Sequence, residues 1–207
     1  MPSAKRVLDM GTGGGERVLR LLSQLTDGTR PHLIATEAWE PNVPVARKNL
    51  AAVGVEVVEY DADAGDALPF DDDSLDLIMC RHETLDAAEV ARTLAPGGVI
   101  LSQQVDGRDA QELRDWFGGE QQYLDIRLNT EREAVVRAGL AVDVAEEWAG
   151  FMGFADLEAL MTYMALVPWD VPGFQIDDHL ETLQELDRSG PLRITQRRYR
   201  LYGHKPY

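Results

Sequence analysis

The hydrophobic positions of the first half of the chain switch between two periods. Short apolar runs predict strands at 5–10, 32–36, 55–60, 75–80 and 99–104. Between the first two runs, Val18, Leu21, Leu22 and Leu25 recur at helical spacing. Further helices are predicted at 45–53 and 87–94, and Pro96-Gly97-Gly98 is the turn signal expected to end the second of them. Because strand and helix alternate, we expect a parallel sheet with helices on both faces.

The second half of the chain has a looser pattern. It predicts helices at 109–117, 130–138, 155–166 and 177–187, and strands at 141–148 and 192–202. We therefore interpret residues 1–207 as a single α/β domain. Its sheet is expected to be a largely parallel seven-stranded one with an antiparallel last strand, and 149–189 a helical insertion before that strand.

A glycine-rich turn follows the first strand, in Val7-Leu8-Asp9-Met10-Gly11-Thr12-Gly13-Gly14-Gly15. Such turns bring a ligand against bare backbone, but dinucleotide-binding folds also use them. Asp9 favours a different ligand, because a carboxylate two residues before Gly11 would repel a pyrophosphate. The turn also lacks the lysine and serine or threonine of a phosphate-binding P-loop. The sequence therefore predicts a ligand that has an ammonium group and no phosphate.

Acidic residues also follow the second and third strands. Glu37 lies where a carboxylate can accept hydrogen bonds from both hydroxyls of a ribose, although a helix N-terminal acid is the structural alternative. Asp63 lies where it can accept from an adenine amino group, and the adjoining Ala64 N–H can serve a ring nitrogen. Asp61 and Asp66 compete with Asp63 for this role, because the local spacing is ambiguous.

The ordered motifs from Val7 to Val105 resemble those of the class I S-adenosylmethionine-dependent methyltransferases, in the subgroup similar to small-molecule and ubiquinone-type enzymes. They are the glycine turn, Glu37, Asp63-Ala64, Leu68-Pro69-Phe70, Leu75-Asp76-Leu77-Ile78 and Leu94-Ala95-Pro96-Gly97-Gly98. Residues 150–175 also resemble the tail of a bacterial branch of that superfamily.

The resemblance implies a Rossmann-like fold and S-adenosylmethionine as cofactor. No carboxylate set in the sequence marks a magnesium site, so no metal is expected. The resemblance also implies that Asp9 and the Gly11 carbonyl hold the methionine ammonium, that Glu37 holds the ribose, and that Asp63 and Ala64 hold the adenine. Thr12, Gly13, Ala38 and Arg81 complete the expected cofactor set.

One departure from that family concerns the N-terminus. Its members usually carry one or two helices before the first strand that help to cover the substrate, whereas here the first strand begins almost at Met1. We expect the lid to come from 149–189, from another copy in a homo-oligomer or from a partner subunit.

The segment after the fourth strand, Cys80-Arg81-His82-Glu83-Thr84, is expected to lie near the transferable methyl group. His82 is the candidate general base, because its ordinary pKa lies near neutrality. The alternatives are that it caps the next helix or packs against the cofactor. Glu83 is interpreted as a first-turn acid of that helix, with Arg81 able to pair with it or with an anionic substrate.

Candidate substrate residues are Gln103, Trp148, Tyr163 and Trp169. The last three belong to a late aromatic group that also includes Phe151, Phe154 and Phe174. Large aromatic side chains dominate protein cores, so core packing is the alternative to an apolar substrate pocket.

Composition limits the partners. The formal charge is −16, which disfavours nucleic acid. Residues 188–207 nevertheless hold six Lys or Arg and no acid, which leaves −22 on residues 1–187. A solvated edge strand is the simple explanation of that basic tail, and a docking surface for protein or RNA is the alternative. The N-terminus has no apolar signal core, no run approaches a membrane span, and a cytoplasmic location is expected.

The sequence therefore predicts a methyltransferase that acts on a small, partly apolar metabolite at oxygen, nitrogen or carbon. No Asp/Asn-Pro-Pro-aromatic tetrad follows the fourth strand, and Cys80 is the single cysteine. These features argue against base amino-methylation and against cytosine C5 chemistry. Two alternatives stay open: a protein or RNA methyltransferase, and a catalytically silent cofactor-binding subunit that supports a partner.

Overall fold

The computed structural model describes residues 4–25, 30–120 and 123–207. Residues 1–3, part of the N-terminus to which the signal-peptide prediction applies, lie outside them. The strands are β1 (Arg6–Met10), β2 (His32–Glu37), β3 (Glu56–Glu59), β4 (Leu75–Arg81), β5 (Leu94–Val105), β6 (Ala141–Phe154) and β7 (Leu192–His204). The helices are α1 (Glu16–Gln24), α2 (Val43–Ala51), α3 (Ala87–Thr93), α4 (Gln111–Phe117), α5 (Leu128–Arg137), α6 (Leu157–Leu166) and α7 (Leu180–Ser189).

The sheet has seven strands in the order β3-β2-β1-β4-β5-β7-β6, which confirms the predicted fold class. Strands β1 to β5 pair in parallel. Strand β7 runs antiparallel to β5, because the Gly97 N–H donates to the Lys205 carbonyl (2.8 Å) while the Asp106 N–H donates to the Arg197 carbonyl (3.1 Å). Buried aliphatic strands such as β1 and β2 are typical of a parallel sheet covered on both faces.

Two strands differ from the prediction by more than two residues at one end. Pro96-Gly97-Gly98 does not form a turn before β5 but lies inside it, because the register with β4 moves from Leu75↔Leu94 to Leu77↔Val99. The extra residues form a bulge, where the positive φ of Gly97 (78°) is accommodated. Strand β6 continues to Phe154, six residues beyond the predicted end.

The basic tail is not an edge strand, so that interpretation is wrong. Strand β7 lies between β5 and β6, and three cations of the tail pair with acids on neighbouring segments. Arg200 contacts Glu146 at 2.6 Å, Arg198 contacts Asp109 at 2.6 Å, and the following Lys205 contacts Asp73 at 2.6 Å. These cations serve the fold by neutralising nearby carboxylates.

The chain divides into two compact units. Unit 1 comprises Met1–Gln104, Leu128–Glu146 and Arg200–Tyr207, and unit 2 comprises Val105–Arg127 and Glu147–Tyr199. One buried cluster of unit 1 packs α1 and α2 on β1 to β3 around Val18, Leu22 and Leu50. Unit 2 has its own cluster, which includes Leu113, Leu160 and Ile194. Within the described residues, no helix combines the length and apolar character needed to cross a membrane.

Candidate functional site

The site lies in unit 1, at the point where the strand order reverses. From β1 the chain proceeds outward to β2 and β3, and then returns to form β4 on the other side of β1. In α/β sheets of this type, ligands bind outside the carboxyl ends of the strands at such a reversal. Met10 and Cys80 are register partners there, so the loops after β1 and β4 leave the sheet side by side.

The glycine loop after β1 is anchored to the end of β2 through its own backbone N–H groups. Gly11 and Gly13 have positive φ values of 65° and 63°, a region that favours glycine. The Thr12 N–H donates to the Thr36 carbonyl at 2.9 Å, and the Gly13 N–H donates to Glu37 Oε2 at 2.6 Å. The Gly13 N–H is therefore committed to a carboxylate and not available to a phosphate.

Glu37 is buried at the end of β2 and joins this loop to the next one. Its Oε2 accepts from Gly13, and its Oε1 accepts from the Trp39 N–H at 3.0 Å. A carboxylate offers about four lone-pair sites, so two remain for a ligand. The helix N-terminal alternative is wrong, because α2 begins only at Val43 and has no acid in its first turn.

Asp9 is the penultimate residue of β1 and is buried. Burial raises the pKa of its carboxyl to about 6, because the charged form loses hydration. The Thr12 hydroxyl and the charges of Arg81 and Arg17 lower the pKa in part, and Glu37 raises it. A cationic ligand in the site would therefore favour the charged form of this carboxylate.

His82 follows β4 in a left-handed backbone conformation, with φ of 57°. This conformation is unfavourable for a residue with a Cβ and is concentrated at functional sites. The His82 N–H donates to the Gln103 carbonyl at 3.0 Å, and the His82 side chain is exposed. Helix capping is wrong for His82, because Asp86 is the N-cap of α3 and its carboxylate accepts from the Ala88 and Glu89 N–H groups.

A buried polar cluster fixes the backbone immediately after His82. The Glu83 carbonyl accepts from Gln104 Nε2 at 3.0 Å and from Cys80 Sγ at 3.3 Å. Gln104 Nε2 also lies 3.2 Å from Ser102 Oγ. Burial raises the pKa of the Cys80 thiol, so it acts here as a neutral donor. The loop at the end of β4 is thereby held against β5.

Glu83 is a site residue whose role the sequence pattern missed. It precedes the N-cap of α3, so it is not a first-turn acid, and that position belongs to Glu89. Its side chain lies against the glycine loop: a Cβ on Gly11 would be 2.7 Å from Glu83 Cβ and 2.9 Å from Oε2. The signal was topological, because Glu83 follows the end of β4 at the same sheet edge where β1 ends, next to Asp9.

The segment after β3 forms a short 3-10 turn over Ala62–Ala64. Asp61 is committed to this turn, because its carboxylate accepts from the Asp63 N–H at 2.9 Å. The Asp63 carboxylate is exposed. The Ala64 N–H donates to the Asp61 carbonyl at 3.3 Å, so adenine binding through it requires this turn to open. A groove of about 800 Å³ in the same unit is lined by Ala38, Tyr60, Asp61 and Asp66 among others.

The candidate substrate residues are divided between the units. In unit 1, Gln103 is exposed near the end of β5. In unit 2, Trp148 and Trp169 are exposed, and Tyr163 is half-buried with its ring 5.4 Å from that of Phe154. Unit 2 also contains a groove of about 740 Å³ whose lining includes Met164, Val167, Pro168, Asp170, Val171, Phe174 and Ile176.

Comparisons with known proteins agree with this geometry. Residues 7–98 match a family model described as a methyltransferase domain. The uncharacterized methyltransferase YcgJ of Bacillus subtilis is 27% identical over 167 residues, which are 81% of this chain and 61% of the relative. The chain thus spans about three fifths of that relative's length. A putative methyltransferase structure from Bacillus halodurans superposes with a TM-score of 0.67 at 17% identity, and covers 100% of this chain and 95% of that one.

The fold is therefore that of the class I S-adenosylmethionine-dependent methyltransferases, and residues 7–98 are similar to a methyltransferase domain. A more distant member of the same fold, phosphoethanolamine N-methyltransferase 2 of Haemonchus contortus in complex with S-adenosyl-L-methionine, has a TM-score of 0.58 at 16% identity. This chain is covered completely in that superposition, and half of the other chain is covered.

The glycine loop fits S-adenosylmethionine as a ligand. Among the described residues, the buried hydroxyl of Thr12 has no hydrogen-bond partner, and the position of a Cβ on Gly13 has open space around it. A buried polar group without a partner is unfavourable unless a ligand supplies one. Asp9, Glu37 and Glu83 around this space favour a cation, and S-adenosylmethionine carries both an ammonium and a sulfonium.

Proposed function

We propose that this protein is an S-adenosylmethionine-dependent methyltransferase whose acceptor is a small, partly apolar metabolite, methylated at oxygen, nitrogen or carbon. The observation that carries the proposal is the acidic glycine loop. Its Gly13 N–H is committed to the Glu37 carboxylate, and Asp9 is buried beside it. Such a loop disfavours a dinucleotide pyrophosphate and favours a cationic ligand without phosphate.

Each part of the cofactor has candidate partners in unit 1. Asp9, the Gly11 carbonyl and the Thr12 hydroxyl would hold the methionine end, with Gly13 allowing close approach and Arg81 as the candidate partner of the cofactor's carboxylate. Glu37 would hold the ribose through its two remaining lone-pair sites, beside Ala38. Asp63 and Ala64 would hold the adenine, and Asp63 is the better candidate than Asp61, whose carboxylate is used in the turn.

When bound, the cofactor supplies an electrophilic methyl group. The chain's own contribution is then to align the acceptor, because orientation alone can supply much of the rate of such a displacement. A base is required only for an acceptor that must lose a proton. His82 is the candidate base: it is exposed, it follows β4, and its backbone is fixed by Gln103 and by the neighbouring Glu83 carbonyl.

Each unit has its own candidate acceptor residues: Gln103 in unit 1, and Trp148, Tyr163 and Trp169 in unit 2. The groove bounded by Met164, Val171 and Phe174 has largely apolar walls with two carboxylates, Asp170 and Asp177. Tyr163 donates from its hydroxyl toward Asp170 Oδ2 at 3.5 Å. Apolar walls with few polar groups are typical of small-molecule sites. The lid over 149–189, a homo-oligomeric or other partner and the cytoplasmic location stay predictions.

Two experiments on the purified chain test the proposal. Calorimetry should show that the protein binds both S-adenosylmethionine and S-adenosylhomocysteine. Glu37→Ala should make the binding free energy of each ligand less favourable by about 1.5–3 kcal/mol. Incubation with methyl-labelled cofactor and a metabolite library should then transfer label to an acceptor. Binding without transfer to any acceptor would favour the silent-subunit alternative, and label on protein or RNA would favour the macromolecular one. No binding of either ligand by folded protein would contradict the proposal.

A further inference from the structure

Glu83 brings a third carboxylate to the glycine loop. Its Oε1 accepts from the neighbouring Thr84 N–H at 3.0 Å, and its Oε2 lies 2.9 Å from the place of a Cβ on Gly11. The charges that act on it most strongly are all negative, those of Glu37, Asp63 and Asp61. Burial and these charges together raise the pKa of Glu83 above its ordinary value.

The backbone that carries the Glu83 carboxylate is held in place by hydrogen bonds to β4 and β5. The Glu83 carbonyl accepts from both Gln104 and Cys80, and the preceding residue is anchored to Gln103. Placing carboxylates close together at a half-buried site is unfavourable in the free protein. The arrangement becomes favourable when a cation occupies the site, because its charge offsets the repulsion among the carboxylates.

A second observation also points to a ligand at this place. Thr12 is more than nine-tenths buried, and its hydroxyl has no hydrogen-bond partner among the described residues. The hydroxyl lies close enough to Asp9 to lower the pKa of that carboxyl. The glycine loop therefore combines an unpartnered buried hydroxyl with excess negative charge.

We propose that Glu83 is a specificity-determining residue that makes the site prefer the sulfonium form of the cofactor to its neutral product. This inference rests on the proposed function. Methyl transfer breaks the bond from sulfur to the methyl carbon, and that bonding pair stays on sulfur, so S-adenosylhomocysteine has lost one positive charge. A fixed carboxylate in a poorly hydrated site attracts the sulfonium and has no corresponding attraction for the thioether. Product release is thereby favoured after each transfer.

The test compares three ligands on wild type and Glu83→Gln, by calorimetry. S-adenosylmethionine carries the sulfonium, sinefungin carries an amine in its place, and S-adenosylhomocysteine carries no charge there. Glu83→Gln should weaken the binding of S-adenosylmethionine and of sinefungin by about 10- to 100-fold. It should change the affinity for S-adenosylhomocysteine by less than about threefold. Glu133→Gln, which removes an exposed carboxylate on α5, is the matched control for net charge and should change none of the three.

The remaining outcomes overturn the inference. An equal loss of affinity for all three ligands would show that Glu83 contacts the ammonium group, which the product also carries. No loss of affinity for any ligand would remove Glu83 from the site. In both cases wild-type binding would leave the proposed function standing. If wild type bound none of the ligands, the proposed function itself would fail. Circular dichroism and thermal melting confirm folding, and Glu83→Asp, which retains the charge, should keep part of the preference.

Discussion

At Asp9, ligand binding and stability make opposite demands on one side chain. Burial raises the pKa of the Asp9 carboxyl from 3.8 to about 6, so its ionised form is disfavoured in the free folded protein. A shift of this size corresponds to about 3 kcal/mol. The destabilisation is complete above pH 6, shrinks as pH falls from about 6 toward 4, and is absent below, because Asp9 is then protonated in both the folded and unfolded states.

We therefore predict that Asp9→Asn raises the free energy of unfolding by about 1–3 kcal/mol at pH 8. The same variant should bind S-adenosylmethionine far more weakly. Urea unfolding at pH 8 and at pH 4.5 measures the effect, which should be much smaller at the lower pH. Asp71→Asn, on an exposed aspartate of the same unit, should change stability little. A loss of stability at pH 8 would show that the Asp9 charge is compensated in the free protein.

His82 combines an unfavourable backbone with a candidate chemical role. A left-handed conformation costs a residue with a Cβ about 1–2 kcal/mol, so His82→Gly should stabilise the protein by about 1 kcal/mol relative to His82→Ala. If His82 is the base, both variants should lose about 10²–10⁴-fold in turnover with cofactor affinity nearly unchanged. The wild-type rate should also fall at acid pH, as the imidazole becomes protonated.

Steady-state rates at saturating ligands and thermal melts distinguish the two roles of His82. Turnover of His82→Ala within a few-fold of wild type would remove the base assignment and leave orientation as the source of rate. Equal stability of His82→Gly and His82→Ala would show that the loop stores no strain at this residue.

At the scale of elements, one arginine organises the segment between β3 and β4. Arg92 on α3 donates from Nη1 to the Phe70 carbonyl (2.8 Å), from Nη2 to the Leu68 carbonyl (2.8 Å) and from Nη1 to Asp72 (2.7 Å). Glu89 on the same helix accepts from Arg92 and from the Leu68 N–H. This network explains physically why Leu68-Pro69-Phe70 has a defined shape without belonging to a helix or strand.

We predict that Arg92→Met lowers the free energy of unfolding by about 2–3 kcal/mol, because several carbonyls and carboxylates lose their charged donor together. Hydrogen exchange should speed up at residues 66–74. Arg137→Met is the matched control: Arg137 contacts Glu133 at 3.7 Å and both side chains are exposed, so its loss should cost less than about 0.5 kcal/mol. Similar losses for the two variants would contradict the anchoring role of Arg92.

An element could be predicted from the sequence where its own residues carry the pattern, and not where its bounds depend on a neighbouring strand. Helix α1 and strand β1 were predicted closely, because apolar spacing and a glycine loop mark them in the chain itself. The bulge at Gly97 and the length of β6 were missed, because both depend on which strand lies alongside. Asp9 and Glu37 were placed correctly at the carboxyl edge, whereas the contact of Glu83 with Gly11 needed the actual register of β1 and β4.

At the scale of the whole molecule, the basic tail shows what a sequence pattern cannot contain. Its arginines look like a solvated edge in sequence, yet β7 is an inner strand and Arg198 and Arg200 pair with Asp109 and Glu146. The partners are 89 and 54 residues away in the chain, so no local window reveals them. Because these two arginines are paired with carboxylates, they add little to an electrostatic surface for RNA.

The net charge of −16 bears on how the cofactor reaches the site. S-adenosylmethionine has a net charge of about +1 near neutral pH, whereas S-adenosylhomocysteine has none, so only the first is attracted over a distance. We predict that the association rate constant of S-adenosylmethionine falls several-fold, to roughly a third or less, between about 20 mM and 500 mM salt. That of S-adenosylhomocysteine should stay nearly constant, as stopped-flow fluorescence can measure.

Glu83→Gln separates this long-range attraction from the local one. It removes a single carboxylate from a molecule that has 36 acidic residues, so the association rate constant should barely change. The dissociation rate constant of S-adenosylmethionine should rise instead, because the lost contact acts only after the ligand has entered the site. A variant that slowed association and left dissociation unchanged would show that Glu83 acts through the general field of the protein, with no close contact to the sulfonium.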